Sequence, residues 1–501
     1  QATLEECHEA LKADWSSANG VRVAVIGNAK LGDGTPDSSA AEVARVYTAA
    51  EKIEVAAPAD RIDAPWAYAD FGPAGAITSR HHVEDLDIDQ VVFTNGVRLN
   101  LKRTAFAVGA ISLQARVGDG QLTEPRDQPG LAFFGNVAFT ASGLGQHSAD
   151  ELRRILAGRN VALALKIAPD ALTFAGDTTP ADLVLQLQFL AAQITDPGYR
   201  PEAELSARRQ LEPYYARLAT DPSGPLKIKV PRLLAAGDPR FGLPRPEEAS
   251  SRTLAELRAW LTPQLAAGPI ELSLVGDLDP ETTIAAVAAT LGALPPRAPK
   301  PTHDELRRIE LAPAGEQALA YAGAIPKDVL ALYWPTADAR NISRVRRLNL
   351  LAEILGNRLL KTIREELGGS YSPNASNQPN DTFPAYNFIA AQIVLNPDDL
   401  DRIRPAVLGV AANLVAKGVE ADELNRARQP ILTMLRESER TNAYWVRTVL
   451  GAAQEQPWLL DWARRRRADY EAVTLDELNT LARAYLDPSR AIVFVIKPAA
   501  Q

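Results

Sequence analysis

Few residues in this chain have side chains suited to metal or acid–base chemistry. It has five histidines, His8, His81, His82, His147 and His303, and one cysteine, Cys7. Metal binding or acid–base catalysis must be argued from these few, or through other groups. His81-His82-Val83-Glu84-Asp85 reads as H-x-x-E, with aspartate where a second histidine belongs in a metal-binding helix. It falls outside any helical pattern, and neighbouring histidines on an extended chain point to opposite faces. A solvated linker is the reading there. His147, beside the helix cap Ser148, reads as a surface residue, and His8 and His303 have no companion ligands nearby. Ser142-Gly143-Leu144-Gly145 lacks the Lys-Ser/Thr of a phosphate loop and reads as a loop entering the Ser148 helix. Arg464 to Arg467 would wrap all faces of a helix, either solvated and paired with acids or holding a polypeptide partner. The stretch 355–377, LGNRLLKTIREELGGSYSPNASN, carries a helix with apolar Leu359, Leu360, Ile363 and Leu367 that ends at Gly368-Gly369. It delivers Tyr371 onto an extended segment. On the residues alone, Arg364 is a surface arginine pairing with neighbouring acids and Tyr371 is half-buried at a helix–strand junction.

Composition narrows the classes of function. The 54 Lys and Arg against 62 Asp and Glu leave a net charge of −8, which argues against a nucleic-acid partner because duplex binding needs a basic face. One cysteine excludes an internal disulfide framework and a Cys-rich zinc module. No apolar run approaches the roughly 20 residues that span a bilayer. The 501 residues, 46% apolar and 23% charged, make an ordinary globular composition with material for several domains. The chain starts at Gln1, which fits a processed chain or a piece of a longer one, and Ala2 to Trp15 reads as an acidic amphipathic helix.

The elements that must position these residues show an internal repeat. Three segments share one plan: Thr-Leu followed by acids, a helix of about 12 residues, and a β-branched strand. They begin at Thr3, Thr253 and Thr474, and lead to strands at Val21–Ile26, Ile270–Gly276 and Ala491–Ile496. Each threonine has a glutamate three residues on, the pattern of a capping box. If this unit closes a domain, two complete domains end near residues 280 and 498. The first copy then closes a domain that is mostly absent.

The expected organisation is therefore a closing helix and strand of a preceding domain over 1–31, and a Pro/Ala-rich extended connector over 32–87. A first α+β domain follows over 88–294, a Pro-rich hinge over 295–314, and a second α+β domain over 315–501. In the first domain, Asn95-Gly96 between β-rich runs is a hairpin signal and Ala110–Val117 a further strand. Helical patterns dominate from Ser148 to about Leu218. In the second, a strand at Val329–Trp334 precedes helices near 341–366, 397–417, 421–436 and 439–453. Strands first, helices next and a closing strand describe an α+β layer fold, two homologous domains each with an antiparallel sheet faced by helices.

With these elements in place, Arg364, Glu365, Gly368 and Tyr371 resemble the Arg-Glu-x-x-Gly-x-x-Tyr motif of the insulinase/pitrilysin zinc metallopeptidases, which include the mitochondrial processing peptidases. The motif marks that family's non-catalytic half, and the resemblance covers nearly the full chain. It implies the inactive C-terminal half of a zinc metalloendopeptidase, paired with a zinc-bearing half from the same precursor or a separate subunit. That pair would close a chamber around an unfolded peptide. Tyr371 would donate its hydroxyl to the substrate carbonyl oxygen as charge develops there, and Arg364 would hold the substrate. The family's active half carries H-x-x-E-H on a helix and a downstream glutamate ligand. The corresponding stretch here resembles Gly130–Phe139, with Phe133 in place of the first histidine and no histidine or carboxylate inside it. The third-ligand region resembles Arg208–Arg217, with Pro213 or Tyr214 in place of the acid. The resemblance thus implies no metal ligand and no cofactor in this chain, zinc in the partner half, and inactivity of the chain alone. It implies no nucleic-acid partner and a periplasmic location, with a cytoplasmic one as the alternative. The competing function is a standalone scaffold or peptide-binding protein, as some members in respiratory complexes have become.

Overall fold

The computed structural model describes residues 3–15, 22–26, 31–54, 65–323, 325–368 and 372–499. They fall into two compact units, Gln1–Ile62 and Asp63–Gln501. In the first unit, Thr3 caps the helix Leu4–Asp14 through the reciprocal bonds of a capping box, its Oγ accepting from Glu6 N–H and Glu6 accepting from Thr3 N–H. The strand expected over Val21–Ile26 is not there. Val21 lies outside the described residues, and residues 22–26 form no strand, with Val23, Val25 and Ile26 exposed. A strand needs a neighbour to pair its backbone groups, and these five residues have no ladder partner among the described residues. A helix at Pro36–Ala50, capped by Thr35 and with no buried residue, lies inside the expected extended connector. Its Ala, Ser and Val residues favour a helix once a Thr-Pro start is supplied.

The second unit holds two sheets. The first contains β1 (Ile77–Val83), β2 (Ile88–Phe93), β3 (Arg98–Arg103), β4 (Ile111–Val117), β5 (Ala164–Ile167), β6 (Leu172–Thr178) and β7 (Ile270–Gly276), in the order β1-β2-β3-β7-β4-β6-β5. The second contains β8 (Gly315–Tyr321), β9 (Asp328–Pro335), β10 (Asn374–Gln378), β11 (Phe388–Leu395) and β12 (Ile492–Pro498), in the order β10-β11-β9-β12-β8. The expected hairpin is present, β2 and β3 turning at Asn95-Gly96 with Gly96 at φ 87°, a left-handed value that favours glycine.

The repeat is visible in the pairing. In both sheets the closing strand lies in the interior, parallel to one neighbour and antiparallel to the other. β7 runs parallel to β3 and antiparallel to β4, as β12 does to β8 and β9. The run β3-β7-β4-β6-β5 is the run β8-β12-β9-β11-β10, and β1 and β2 extend the first sheet beyond it. The capping boxes at Thr253/Glu256 and Thr474/Glu477 start the helices Leu254–Ala267 and Leu475–Tyr485 that lead into β7 and β12.

Two expectations fail locally. Strand β1 lies within residues read as a connector, because its backbone pairs with β2 from Ile77 to Val83. Strands β5 and β6 lie within the expected helical region Ser148–Leu218. β5 is only Ala164–Ile167, and its ladder partners Leu172–Ala175 are supplied across a turn. So short a run gives a helical window no period to contradict.

Each sheet is covered on both faces. Leu272 and Leu274 of β7 face their own domain's helices, while Val275 packs with Tyr444, Val446 and Leu450 of the second domain. Reciprocally, Val329, Ala331, Phe494 and Ile496 pack with Val230 and Leu234 of the first domain. Burial on both sides explains why β9 reads as a near-continuous apolar run, while β7, equally buried, carries Glu271 and Ser273 among its apolar residues. The seam is also polar: the Glu271 carboxylate accepts from Gln454 N–H at 2.7 Å, Glu455 N–H at 2.9 Å and Asn100 Nδ2 at 2.8 Å. Burial pushes its carboxyl up, against those donors.

Candidate functional site

The helix that carries the stretch resembling the family's metal motif is Leu131–Ala141, and its start is organised by a buried carboxylate. Glu124 accepts from the N–H groups of Gly130 at 3.0 Å and Ala132 at 2.9 Å, which would otherwise be orphaned at a helix N-terminus. Burial raises its pKa while those N–H groups lower it. The helix corresponding to the third-ligand region is Pro201–Thr220. The two helices meet where Phe133 stacks on Tyr214, ring centroids 6.1 Å apart, and meets Tyr215 edge-on at 6.1 Å. Tyr214 and Tyr215 are themselves 5.6 Å apart, and Leu211, Leu218, Ile228 and Leu243 close the cluster. The Tyr215 hydroxyl donates to the Pro244 carbonyl at 2.8 Å, and burial raises its pKa. A phenyl ring and a phenol kept protonated by burial offer nothing to a zinc ion, which takes deprotonated Cys, His or carboxylate ligands. The residues at this place do not fit the metal. An aromatic contact joins the two helices instead.

Asn136 on the same helix has a second role. Its side-chain oxygen accepts the Ile167 N–H at 2.7 Å, occupying a backbone donor of edge strand β5.

Arg364 stands in the second domain. The helix Ile342–Leu360, capped by Asn341, continues into a widened turn, Lys361–Glu366, where Leu367 N–H bonds to Thr362 O, five residues back. Such π-turns recur at functional sites. Gly368, at φ 65°, ends the element as its sequence suggests. The Arg364 side chain is exposed, its Nη2 3.4 Å from Ser372 Oγ. Beside it, Arg402 donates to Leu367 O at 3.2 Å and fastens the turn to the helix Leu400–Lys417. Tyr371, the residue expected to act with Arg364, lies outside the described residues. Edge strand β10 begins three residues later, at Asn374.

The remaining sequence candidates fall into place as structure. His81 and His82 lie on β1, not in a linker, and His82 Nδ1 is 3.3 Å from Asp89. Among the described residues, no three His, Cys, Asp or Glu side chains converge as a metal site. His147 is not at the surface but 1% exposed. Its Nε2 accepts the Ala67 N–H at 3.1 Å and its ring stacks on Trp66. The segment Trp66–Phe71 folds over it, with the Tyr68 hydroxyl donating to Asp196 at 2.6 Å and accepting from Gln146 N–H at 2.8 Å. Nothing local announced this, because Trp66 and His147 meet only through the fold. The Ser142–Gly145 loop is structural, held by Arg200 through the carbonyls of Ser142, Leu144, Gly145 and His147. In the arginine run, Arg464 pairs with Asp85 at 2.6 Å and Asp461 at 2.7 Å, Arg467 pairs with Glu471, and Arg466 lies over the Tyr444 ring. Glu271 was missed, although a glutamate inside an apolar closing strand is a sequence anomaly that could have drawn attention.

Residues 251–431 match the family described as Peptidase M16 inactive domain. The chloroplastic stromal processing peptidase of Arabidopsis thaliana is 22% identical over 467 residues, 81% of this chain and 36% of that protein. The probable zinc protease PqqL of Escherichia coli is 21% identical over 428 residues, 83% of this chain and 44% of that protein. The chain therefore spans between about a third and a half of the length of these relatives. Among solved structures, the periplasmic protease PqqL from Escherichia coli superposes with a TM-score of 0.73 at 19% identity, over 93% of this chain and 51% of that one. A peptidase M16 inactive domain from Pseudomonas fluorescens gives 0.70 at 17% identity, over 83% of this chain and 99% of that one. Residues 251–431 thus match the M16 inactive-domain family, and the chain shares the fold of these proteins over most of its length.

Proposed function

We propose that this chain is the non-catalytic half of an M16 zinc endopeptidase, closing a peptide chamber against a zinc-bearing half. The observation that carries the reading is the contrast between its two domains. Where the first domain would hold the metal it has the Phe133–Tyr214–Tyr215 cluster, and the second presents an exposed Arg364 at a π-turn beside an edge strand. Arg364 clamps the extended peptide, and Tyr371 donates to the carbonyl oxygen on which charge develops. An exposed guanidinium suits the first role, since it keeps its donors for a ligand.

The repeat supports the place of residues 1–31 in this assembly. In both complete copies the strand after the capped helix lies inside its sheet. The Thr3 copy is then the closing helix and strand of a preceding domain, with exposed Val23 and Val25 on one face of that strand and exposed Ile26 on the other, for that domain to cover. The hinge over 295–314 joins the two complete domains, and the part of the connector that precedes Trp66, ahead of the segment fastened over His147 and of β1, lets the halves open and close. The periplasm is the compartment this reading favours, in keeping with the periplasmic PqqL protease.

The test is reconstitution. The isolated chain should hold no stoichiometric zinc by metal analysis and cleave no peptide. Adding the zinc-bearing half should restore chelator-sensitive cleavage. One tightly held zinc per isolated chain, with peptidase activity lost to chelator, would overturn the reading.

A further inference from the structure

The seam between the domains encloses a cavity of about 180 Å³, lined among others by Arg98, Arg116, Arg297, Lys300, Glu271 and Glu455. Its volume is below the roughly 300–1,000 Å³ of sites for drug-sized ligands and equals about six waters at ~30 Å³ each. The charges around it are unevenly matched. Arg297 is 8% exposed and has no acidic partner among the described residues, its protein hydrogen bond running from Nη1 to the Leu265 carbonyl at 2.6 Å. Burial without a counter-charge depresses its pKa to about 10. Arg98 likewise makes no ion pair among the described residues. Arg116 pairs with Asp170 at 2.8 Å, and Lys300 donates to the carbonyls of Gly118 and Asp170.

The two glutamates differ in what they have left to offer. Glu271 is engaged by two backbone N–H groups and Asn100. Glu455 forms only long ion pairs, 3.6 Å from Lys300 and 3.9 Å from Arg116, both beyond hydrogen-bond length, and among the described residues its carboxylate accepts no hydrogen bond. Four cations, two of them without an ion pair among the described residues, around a carboxylate with no hydrogen-bond donor call for a ligand that carries negative charge and also a hydroxyl to donate. A buried arginine without a counter-ion is costly unless an anion supplies one.

We propose that this cavity binds hydrogen phosphate. Its charged oxygens accept from Arg98, Arg297 and Lys300, and its P–OH donates to Glu455. Sulfate has the same shape but no proton to donate at neutral pH, so Glu455 repels it. The site joins the β2–β3 hairpin, the hinge and the second domain, and occupancy stiffens the seam.

The experiment is isothermal titration of the whole chain with sodium phosphate, and separately with sodium sulfate, at pH 7.5 and constant ionic strength. Thermal unfolding is followed in parallel. Phosphate should bind at about one per chain, at least about ten-fold tighter than sulfate, which is the cost of one unmade charge-assisted hydrogen bond. Arg297→Met should weaken phosphate about ten- to hundred-fold. Arg98→Gln, which is half-buried and less disruptive, should weaken it in the same direction while melting as the parent does without phosphate. Glu455→Gln should narrow the phosphate–sulfate gap, because an amide can donate to sulfate. No binding of either anion, or phosphate binding unchanged in Arg98→Gln, overturns the site. Equal affinity for phosphate and sulfate overturns the assignment of the ligand.

Discussion

Replacing Phe133 by Ala separates a structural role from a catalytic one at the place that the sequence resemblance matches to a metal ligand. Full burial of a phenylalanine makes truncation to alanine cost roughly 3–5 kcal/mol. Phe133 is half-buried, and its ring meets Tyr214 and Tyr215, both at 6.1 Å. Aromatic pairs contribute about 0.5–1.5 kcal/mol beyond burial. A loss of about 2 kcal/mol follows, carried by the contact between the helices Leu131–Ala141 and Pro201–Thr220. In urea, with m near ~4 kcal/mol/M for a chain of this size, the midpoint of that domain should fall by about 0.5 M at unchanged m. Tryptophan fluorescence follows the transition, since Trp260 lies in the same domain core. Peptide turnover of the enzyme reassembled with a zinc-bearing half should stay within two-fold of the parent if the ring serves only the packing of these helices. A variant of parental stability that had lost turnover would show that this place still acts in catalysis, and the reasoning would fail.

Three further outcomes test the framework. His147 is buried with its pKa lowered by desolvation, opposed by Glu151 and reinforced by Arg200. A depressed folded pKa means the stability it contributes is complete above the ordinary value near ~6.5 and is lost as pH falls below it toward the folded value. Protection of the Trp66–Phe71 segment from chymotrypsin should therefore drop between pH 7.5 and 5.5. His147→Gln should show no such step, and an identical step in that variant would refute the clasp. Glu271→Ala strands two backbone donors and Asn100 at the seam and should cost about 3–5 kcal/mol by denaturant unfolding. A cost below about 1 kcal/mol would mean that the seam relaxes around the loss. Thr253→Ala removes the cap of the helix leading into β7 and should cost about 1 kcal/mol, with Thr253→Ser close to neutral.

The parts of the fold legible in the sequence were those fixed by short-range chemistry. Thr253 with Glu256 and Thr474 with Glu477 announce helix starts, and Asn95-Gly96 announces a hairpin, because cap and turn bonds close within a few residues. Repeating the cap–helix–strand pattern disclosed two copies of one topology before any pairing was known. What stayed hidden depends on distant partners. β5 is defined by its ladder with β6, and Val21–Ile26 had the composition of a strand, while its described residues, 22–26, join no ladder among the described residues. His147 is read as exposed until Trp66 covers it. At the candidate site, the family pattern located Phe133 and Tyr214 from separate segments, and the structure brings their rings together. Arg364 was placed at a helix end, but the π-turn that carries it has no signature in LKTIREEL. The charges of Arg116, Arg297 and Glu455 are far apart in sequence, so neither composition nor spacing could place them around one cavity.

The central claim is that this half contributes to chemistry performed with a zinc-bearing partner, and Tyr371→Phe tests it most directly. The change removes one hydroxyl and little volume, so assembly should be retained. Single-turnover and steady-state kinetics on the reassembled enzyme should show kcat lower by roughly 10²–10³, the usual cost of one missing donor to a developing oxyanion. KM should change much less, because that bond strengthens mainly in the transition state. Arg364→Ala should instead raise KM as well as lower kcat. A Tyr371→Phe enzyme that assembles and turns over at the parental rate would contradict the account.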